Sequence, residues 1–393
     1  MELAAIQAEL AASDVDGWLL CDFRNREPLA RRILGLAEER FASRRWFYWI
    51  PSAGEPVRVV SSVEPAFLDS LPGSRIVFRT WRELSSALAQ ALRGARRVAM
   101  QYSPDNDIPY VGLVDAGTVE LVRKAAGVEV VSSADLVSRF VETFGEEGAA
   151  SHRRAMAIVH RVKDEAFARI RAAVAQGRRL TDWDVHLGIL ASFEGAGVVP
   201  EGGPMVGIDA APSDPHFENS PARATAFARG QCVLLDLWAR ERSPEAIFAD
   251  VTWCAFVGSD PPGEYARIWR AVAEARDAAC ALAVERCGRG APTTGAELDR
   301  AARSVIEAAG YGERFVHRTG HSIGRSVHGN GANLDDFETR DTRRILPGTC
   351  FSVEPGIYLP GRMAVRSEVD VLVTPDGKAE VSGPVQKELV LLA

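Results

Sequence analysis

The first 145 residues alternate short apolar runs with amphipathic segments. The runs whose length and content of aromatic and β-branched residues are typical of strands are GWLLCDF (17–23), RWFYWIP (45–51), VRVVSS (57–62), RIVFRTW (75–81) and RRVAMQY (96–102). The turn-forming residues SAGEP separate the second run from the third and predict a β-hairpin. A helical pattern at 82–93 lies between the last two runs, and this βαβ rhythm predicts an N-terminal α/β domain over residues 1–145.

The pattern becomes helical at residue 146, where we place a domain boundary, so that a second domain covers 146–393. Segments with apolar residues at helical spacing follow at 146–176, 181–197, 262–287 and 294–309. Thr181 is a predicted N-cap, and Thr294 followed three residues later by Glu297 predicts a capping box. The segment 195–221 is rich in glycine and proline, which predicts a long loop with a binding role.

Four carboxylates in the second domain interrupt apolar, strand-like runs. They are Asp236 in CVLLDLW, Asp250 in IFADVTWCAF, Glu354 in FSVEPGIY and Glu368 in MAVRSEVDVLV. Because an unpaired buried charge is costly, a group of this kind needs a compensating partner. A cation shared by all four would offset the cost of each, so the pattern indicates a common metal site.

The spacing of the four acids supports a shared site. Asp236 and Asp250 flank a polar loop at 239–246, and Glu354 and Glu368 flank a turn at 360–362; each pair is 14 residues apart. An antiparallel hairpin brings the two members of each pair side by side. Two such hairpins would form a strongly anionic pocket in which some acids stay protonated unless metal is bound.

A glycine-rich segment at 315–331 holds three of the seven histidines of the chain. Carboxylates combined with an imidazole suit divalent ions such as Mn²⁺, Fe²⁺, Co²⁺ or Zn²⁺. Four carboxylates, two of them able to bridge, favour two metals over one. A pair of metals that holds a hydroxide and polarises a carbonyl is typical of metal-assisted hydrolysis.

Composition and charge exclude several classes of protein. The 393 residues are 47% hydrophobic, enough to build a large core in two or three domains. The net charge of −7 gives no general attraction to nucleic acid or to an anionic membrane, and we expect neither as a partner. The N-terminal segment lacks a signal-peptide pattern, and six scattered cysteines without a CxxC pair indicate reduced thiols. We therefore expect a cytoplasmic protein.

The ordered set of acids and histidines resembles the pita-bread metallopeptidases, which include methionine aminopeptidase, aminopeptidase P and prolidase. The matching motifs are Asp236, Asp250, GHSIG with His321, VEPGIY with Glu354 and VRSE with Glu368. The resemblance spans about 160–393, and the preceding residues resemble the creatinase-like N-terminal domain of aminopeptidase P and prolidase. It implies an α+β protein in which this α/β domain precedes a pita-bread catalytic domain.

The resemblance also implies roles. Two divalent ions, Mn²⁺ first and Co²⁺, Zn²⁺ or Fe²⁺ as alternatives, would be held by Asp236, Asp250, His321, Glu354 and Glu368. The implied reaction is hydrolysis of the bond between an N-terminal residue and proline by a metal-bound hydroxide. Glu354 would transfer the proton, His328 and His216 would assist catalysis, and His216, His317 and Arg366 would bind substrate. A small proline-containing peptide and a homodimer are the implied partners.

Several alternatives stay open at this point. The substrate is a dipeptide if the enzyme is a prolidase, and a longer peptide if it is an aminopeptidase P. His317 has a structural reading beside a substrate-facing one, and Arg366 is either a substrate contact or a partner of a ligand carboxylate. Asp370 is expected to support a ligand rather than to bind metal. A metal-free creatinase-like hydrolase or a non-enzymatic scaffold of the same fold is the alternative function.

Overall fold

The computed structural model describes residues 1–37 and 39–393, and these fall into two compact units, Met1–Val141 and Glu142–Ala393. The boundary predicted from the sequence lies at residue 145. No helix within the described ranges is long and apolar enough to cross a membrane.

The first unit is an α/β domain around one six-stranded sheet. Its elements are α1 (Leu3–Ala12), β1 (Gly17–Asp22), α2 (Pro28–Leu34), β2 (Trp46–Pro51), β3 (Val57–Ser61), β4 (Ser74–Phe78), α3 (Trp81–Ala91), β5 (Arg97–Met100), α4 (Ala116–Ala126), β6 (Glu129–Ser132) and α5 (Ala134–Val137). The strand order is β4-β3-β2-β1-β5-β6. Strands β2 and β3 pair antiparallel, which confirms the predicted hairpin, while β5 runs parallel to both β1 and β6.

The strand predicted at 75–81 is too long at its carboxyl end. Strand β4 ends at Phe78, and the side chain of Thr80 accepts a hydrogen bond from the amide of Glu83. This N-cap starts α3 at Trp81, because it satisfies a backbone donor that has no partner within the helix. The aromatic residue that resembled the end of a strand is therefore the first residue of a helix.

The second unit combines long helices with short sheets. Its elements are α6 (Glu146–Ala175), α7 (Asp182–Gly195), β7 (Val198–Val199), β8 (Met205–Ile208), β9 (Cys232–Glu241), β10 (Ala249–Phe256), α8 (Gly263–Gly288), α9 (Gly295–Ala308), β11 (Ser322–Ile323), β12 (Thr349–Val353), β13 (Gly356–Leu359), β14 (Met363–Arg366), β15 (Val369–Val373), β16 (Ala379–Ser382) and β17 (Val390–Leu391). One sheet has the order β17-β10-β9-β7, with β8 also paired to β9. A second has the order β11-β12-β15-β16, and β13 pairs with β14.

The two faces of β9 and β10 serve different cores. Side chains such as Leu235 and Val251 pack with α6 and α7, whereas Leu234 and Cys254 pack with α8 and the second sheet. Because strand side chains alternate between faces, residues at even positions of β9 and β10 share the face toward α8 and the second sheet. Asp236 and Asp250 both lie at even positions, so the fold directs them to the same side.

The structure corrects the long loop predicted at 195–221. This segment contains strands β7 and β8, and β8 pairs with β9 so that Met205 lies opposite Asp236. These apolar runs are short and are flanked by glycine and proline, so their sequence does not predict strands. They form strands because β9 supplies their backbone hydrogen-bond partners. Strand β9 also continues to Glu241, so the polar loop predicted at 239–246 starts later.

The capping box predicted at the start of α9 is confirmed. The Thr294 hydroxyl accepts the amide N–H of Glu297, and the Glu297 carboxylate accepts the amide N–H of Thr294 at 2.9 Å. Helix α7 has the same motif with Thr181 and Asp184. Each motif satisfies two backbone donors that have no partner within the helix.

We expect Thr294→Ala to lower the free energy of unfolding by about 1 kcal/mol, because the first turn of α9 loses its side-chain acceptor. Urea denaturation followed by circular dichroism measures this change. Thr294→Ser is the matched control, since it keeps the hydroxyl and should leave stability nearly unchanged. Equal stability of the alanine variant and the parent would contradict the role of the cap.

Candidate metal centre

Two aspartates enter the site from adjacent antiparallel strands. Asp236 lies opposite Thr252, and Asp250 lies opposite Trp238. The two acids are therefore diagonal neighbours on one face of the β9–β10 pair, on adjacent strands as the predicted hairpin requires. Both are buried, with 7% and 4% of their surface exposed.

The two glutamates of the site come from the unpaired residues between two antiparallel strand ladders, β12–β15 and β13–β14. Val353 pairs with Val369 on one side of the break, and Gly356 pairs with Arg366 on the other. Glu354 and Glu368 lie in the break between these two ladders, and the register of the ladders places the two glutamates opposite each other. They were predicted to lie within strands, and this prediction is wrong. Pro355, beside Glu354, has no N–H to give to a ladder, which accounts for the interruption.

His321 completes the set from the segment that precedes β11. Its Nε2 lies 3.3 Å from Oε1 of Glu354 and 3.8 Å from Oδ2 of Asp250. Donor atoms of Asp250, His321 and Glu368 all lie within 4.8 Å of one another. Ser352 links the segments, because its hydroxyl accepts the amide N–H of His321 at 3.0 Å and donates to Oε1 of Glu354 at 3.1 Å.

Arg366 ties the remaining acids to this cluster. Its Nη2 donates to Oδ2 of Asp236, and its Nε lies 3.7 Å from Oε2 of Glu354. The same Nε donates to the hydroxyl of Thr252 at 3.0 Å, and that hydroxyl donates to Oε2 of Glu368 at 2.7 Å. All five residues expected to bind metal therefore converge, and one guanidinium contacts this group directly.

Burial and mutual repulsion set the charge of these acids. Burial raises the pKa of Asp236 to about 6, despite the opposing charge of Arg366. Burial and neighbouring carboxylates raise the pKa values of Asp250 and Glu368 well above the usual range. Burial alone would raise the pKa of Glu354, but the basic groups around it, with the guanidinium of Arg366 among them, outweigh burial and lower the value. Burial also lowers the pKa of His321 to about 3, so its imidazole is neutral, the form that binds metal.

These donors fit divalent metal ions. Oδ1 of Asp250 and Oε1 of Glu368 are buried, and among the described residues neither has a hydrogen-bond partner. An orphaned buried acceptor is costly and calls for an ion or a water that the protein itself does not supply. Four carboxylates and one neutral imidazole are a hard-to-borderline donor set, typical of sites for Mn²⁺, Fe²⁺, Co²⁺ or Zn²⁺.

The three histidines expected near the substrate differ in their surroundings. The ring of His328 lies 4.3 Å from that of His321, centroid to centroid, and although the residue is exposed, desolvation of the ring lowers its pKa. His317 is half-buried, and its Nε2 lies 2.8 Å from the hydroxyl of Tyr358. His216 is exposed in the loop after β8.

Three further residues of the site, Thr252, Ser352 and Tyr358, were not predicted from the sequence. The Tyr358 hydroxyl accepts from Nη1 of Arg366 at 3.3 Å and so connects His317 with the arginine that holds Asp236. Thr252 and Ser352 follow the same two-residue alternation as the ligands, which is the one signal that marks them in the sequence.

Asp370 contacts the backbone of Asp250, in agreement with the prediction that it supports a ligand. Its Oδ2 accepts the backbone N–H of Asp250 at 2.8 Å, and its other oxygen has no partner among the described residues. It belongs to a second buried cluster with His152 and Cys350, whose donor atoms lie within 4.8 Å of one another. Both nitrogens of His152 already have partners, the carbonyl of Phe248 at 2.7 Å and the hydroxyl of Ser382 at 2.9 Å.

Comparison with known proteins gives three findings. The model of metallopeptidase family M24 matches residues 150–375. A probable dipeptidase PepE of Mycobacterium tuberculosis is 28% identical over 337 residues, which cover 85% of this chain and 82% of the relative. A Xaa-Pro dipeptidase of Lactobacillus helveticus is 46% identical over 91 residues, which cover 21% of this chain and 22% of the relative. The crystal structure of dipeptidase PepE from Mycobacterium ulcerans superposes with a TM-score of 0.70 over 100% of this chain and 97% of that one, at 24% identity. At that identity, the superposition shows the fold alone.

Metal binding should release protons. In the metal-free protein the raised pKa of Asp236 stabilises the fold at low pH, and this contribution is lost as pH rises from about 4 through about 6. Asp250 and Glu368 hold their protons to still higher pH. Because metal binds the ionised acids, we expect Mn²⁺ binding at pH 6.5 to release protons and to tighten as pH rises.

Isothermal titration of Mn²⁺ in two buffers with different ionisation enthalpies, repeated between pH 5.5 and 8, measures the number of protons released. The control is the same pair of titrations with EDTA-saturated Mn²⁺, which corrects for buffer heats. A heat of binding that is the same in both buffers would mean that the acids are already ionised before the metal arrives.

Proposed function

Because the chain belongs to metallopeptidase family M24, we propose that it hydrolyses the peptide bond between an N-terminal residue and proline. Its fold is the one predicted from the sequence, an α+β architecture with a pita-bread catalytic domain. The observation that carries the proposal is the convergence of four carboxylates and a neutral imidazole, in which two carboxylate oxygens have no hydrogen-bond partner among the described residues. Two divalent ions, Mn²⁺ in the first place, are the proposed cofactors.

The relatives favour a dipeptide as substrate. Among the similar proteins, one is named a probable dipeptidase and another a Xaa-Pro dipeptidase. Proline makes this bond a special case, because its nitrogen carries no hydrogen and its ring fixes the backbone. We therefore place prolidase activity first and keep aminopeptidase P activity, on longer peptides, as the second form of the same proposal. The homodimer and the cytoplasmic location stay predictions.

The protein's own residues have distinct proposed tasks. Asp236, Asp250, His321, Glu354 and Glu368 hold the metals, which when bound supply a hydroxide nucleophile and polarise the scissile carbonyl. Glu354 accepts the proton of the attacking water and delivers it to the proline nitrogen. Its lowered pKa keeps it ionised and ready to accept that proton.

His328 and His216 are proposed to face the reacting carbonyl. The neutral ring of His328 donates a hydrogen bond to the oxygen that becomes negative in the tetrahedral intermediate. His216, exposed in the loop after β8, is free to approach the substrate, since its ring makes no hydrogen bond to another described residue. His317 is oriented by Tyr358 and is proposed to contact the proline side of the substrate.

Arg366 is better suited to hold Asp236 than to bind substrate. Each of its three guanidinium nitrogens already contacts a protein group: Thr252, Tyr358 and Asp236. A bidentate grip on a substrate carboxylate needs two free N–H groups on one edge of the guanidinium. We therefore assign Arg366 to the positioning of Asp236, the alternative that the sequence left open.

A panel of three peptides tests the function. After removal of metal and addition of Mn²⁺, we expect release of alanine from Ala-Pro, slower release from Ala-Pro-Ala, and none from Ala-Ala. Asp250→Asn should reduce activity to the level of the metal-free protein, because the site loses a ligand charge. Liquid chromatography of the products measures each rate.

Inactivity toward both proline peptides would remove the proposed function. Activity that survives both metal removal and Asp250→Asn would instead favour a metal-free hydrolase of the same fold. Elemental analysis of the purified protein is the control for metal removal, since it separates an unloaded site from an inactive one.

His328→Ala should lower kcat by about 10²–10³-fold with little change in KM, because the lost hydrogen bond acts on the transition state. His328→Gln is the matched control, since its amide retains an N–H donor and should recover part of the rate. Steady-state kinetics with Ala-Pro measure both. A rise in KM at constant kcat would place His328 in substrate binding instead.

A further inference from the structure

Helix α9 lies outside the metal centre but makes an unusual set of polar contacts with the segment 315–321, which carries His317 and His321. The contacts come from Asp299 and Arg303, one helical turn apart. Asp299 is fully buried, and the side chain of Arg303 is 11% exposed. They form a two-point ion pair, with Nε and Nη2 of Arg303 each 3.1 Å from a different carboxylate oxygen.

Asp299 fixes the middle of the segment. Its Oδ1 accepts the backbone N–H of Thr319 at 3.0 Å and the Thr319 hydroxyl at 2.6 Å. The carbonyl of Thr319 in turn accepts the backbone N–H of Glu354 at 2.8 Å. One carboxylate therefore lies two hydrogen bonds away from the backbone of a metal-binding glutamate.

Arg303 fixes the beginning of the segment. Its Nη2 donates to the carbonyl of His317 at 2.8 Å, and its Nη1 donates to the carbonyl of Phe315 at 3.1 Å. The guanidinium also lies 4.2 Å from the ring centroids of Phe315 and Phe337. Every guanidinium nitrogen thus has a defined partner, and two of these partners belong to the backbone of the histidine-bearing segment.

The segment has little room to shift without these contacts changing. At Gly320, between Thr319 and His321, an added Cβ would lie 1.9 Å from the carbonyl oxygen of Ser352. The segment is therefore pressed against β12 on one side and held by α9 on the other. The contacts with α9 and the close approach to β12 together restrict where the backbone before His321 can lie.

We propose that Asp299 and Arg303 are positioning residues, which set the place of His321 among the metal ligands and of His317 beside the substrate. This inference rests on the proposed function only for the role of His317; the role of His321 needs metal binding alone. Outer partners of metal ligands influence affinity by about 10–100-fold, which gives the scale of the expected effect.

Co²⁺ is the probe, because its visible absorption reports ligand geometry without any substrate. We expect Arg303→Ala to weaken binding of one of the two Co²⁺ equivalents by about 10–100-fold and to change the absorption band, while the second equivalent binds as in the parent. Arg303→Lys should recover the charge but not the two carbonyl contacts, and so should restore affinity only in part.

Thr319→Val is the second variant, chosen because it removes a single hydroxyl donor to Asp299 and leaves the ion pair intact. It should shift the Co²⁺ spectrum in the same direction even if Arg303→Ala fails to fold. Arg300→Ala is the control: Arg300 lies on the same helix and pairs with Asp336 at 2.7 Å on the surface. This control should bind Co²⁺ as the parent does.

The inference would be overturned if Thr319→Val and the folded Arg303 variants bound Co²⁺ with the affinity and the absorption spectrum of the parent. Kinetics with Ala-Pro add a separate readout, in which a misplaced His317 raises KM and a misplaced His321 lowers kcat. Because the spectra are recorded without substrate, a protein that binds Co²⁺ yet cleaves no proline peptide would refute the proposed function and the role of His317, and would leave the positioning of His321 by Asp299 and Arg303 standing.

Discussion

The constraint on which the catalytic unit depends is the repulsion among four carboxylates that the fold buries in one place. Asp236, Asp250 and Glu368 have raised pKa values, so the protein alone does not stabilise all the charges it has gathered. Arg366 provides one positive charge and His321 provides none, since its ring is neutral. The remaining negative charge is what a divalent ion neutralises, and the cost of assembling the acids becomes the driving force for binding it.

The backbone makes this assembly possible by using two kinds of pairing. Asp236 and Asp250 lie within a continuous antiparallel pair, where alternation directs both to one face. Glu354 and Glu368 lie in a break between two ladders that keep the same register. The break frees backbone groups that the site then uses: the N–H of Glu368 donates to the carbonyl of Thr252 at 3.0 Å and so joins the two sheets.

Much of this was accessible from the sequence, and the limits have physical causes. Acids within apolar runs and their equal spacing predicted that four carboxylates share one site, and the structure brings these four together, since burial of charge is a strong and local signal. The exact register was not accessible, because a hairpin with a loop of variable length permits several pairings; Asp236 lies opposite Thr252, not Asp250. Strands β7 and β8 escaped notice because their stability comes from the edge of β9, far along the chain. Thr252, Ser352 and Tyr358 are ordinary residues by type; the alternation along the strands places the first two on the face of the acids, but the contacts that give all three a role are visible only in the structure.

The residues that surround the proposed ligands hold those ligands in place by hydrogen bonds. Thr252 accepts from Arg366 and donates to Glu368, so it transmits the position of one to the other. Asp370 fixes the backbone of Asp250, and Ser352 fixes both His321 and Glu354. Each ligand whose charge would repel the others is thus restrained by a neighbour that is not itself a ligand. A metal that enters finds the acids already oriented, so that less ordering entropy opposes binding, and the same rigidity restrains Glu354 for the proton transfer proposed for it.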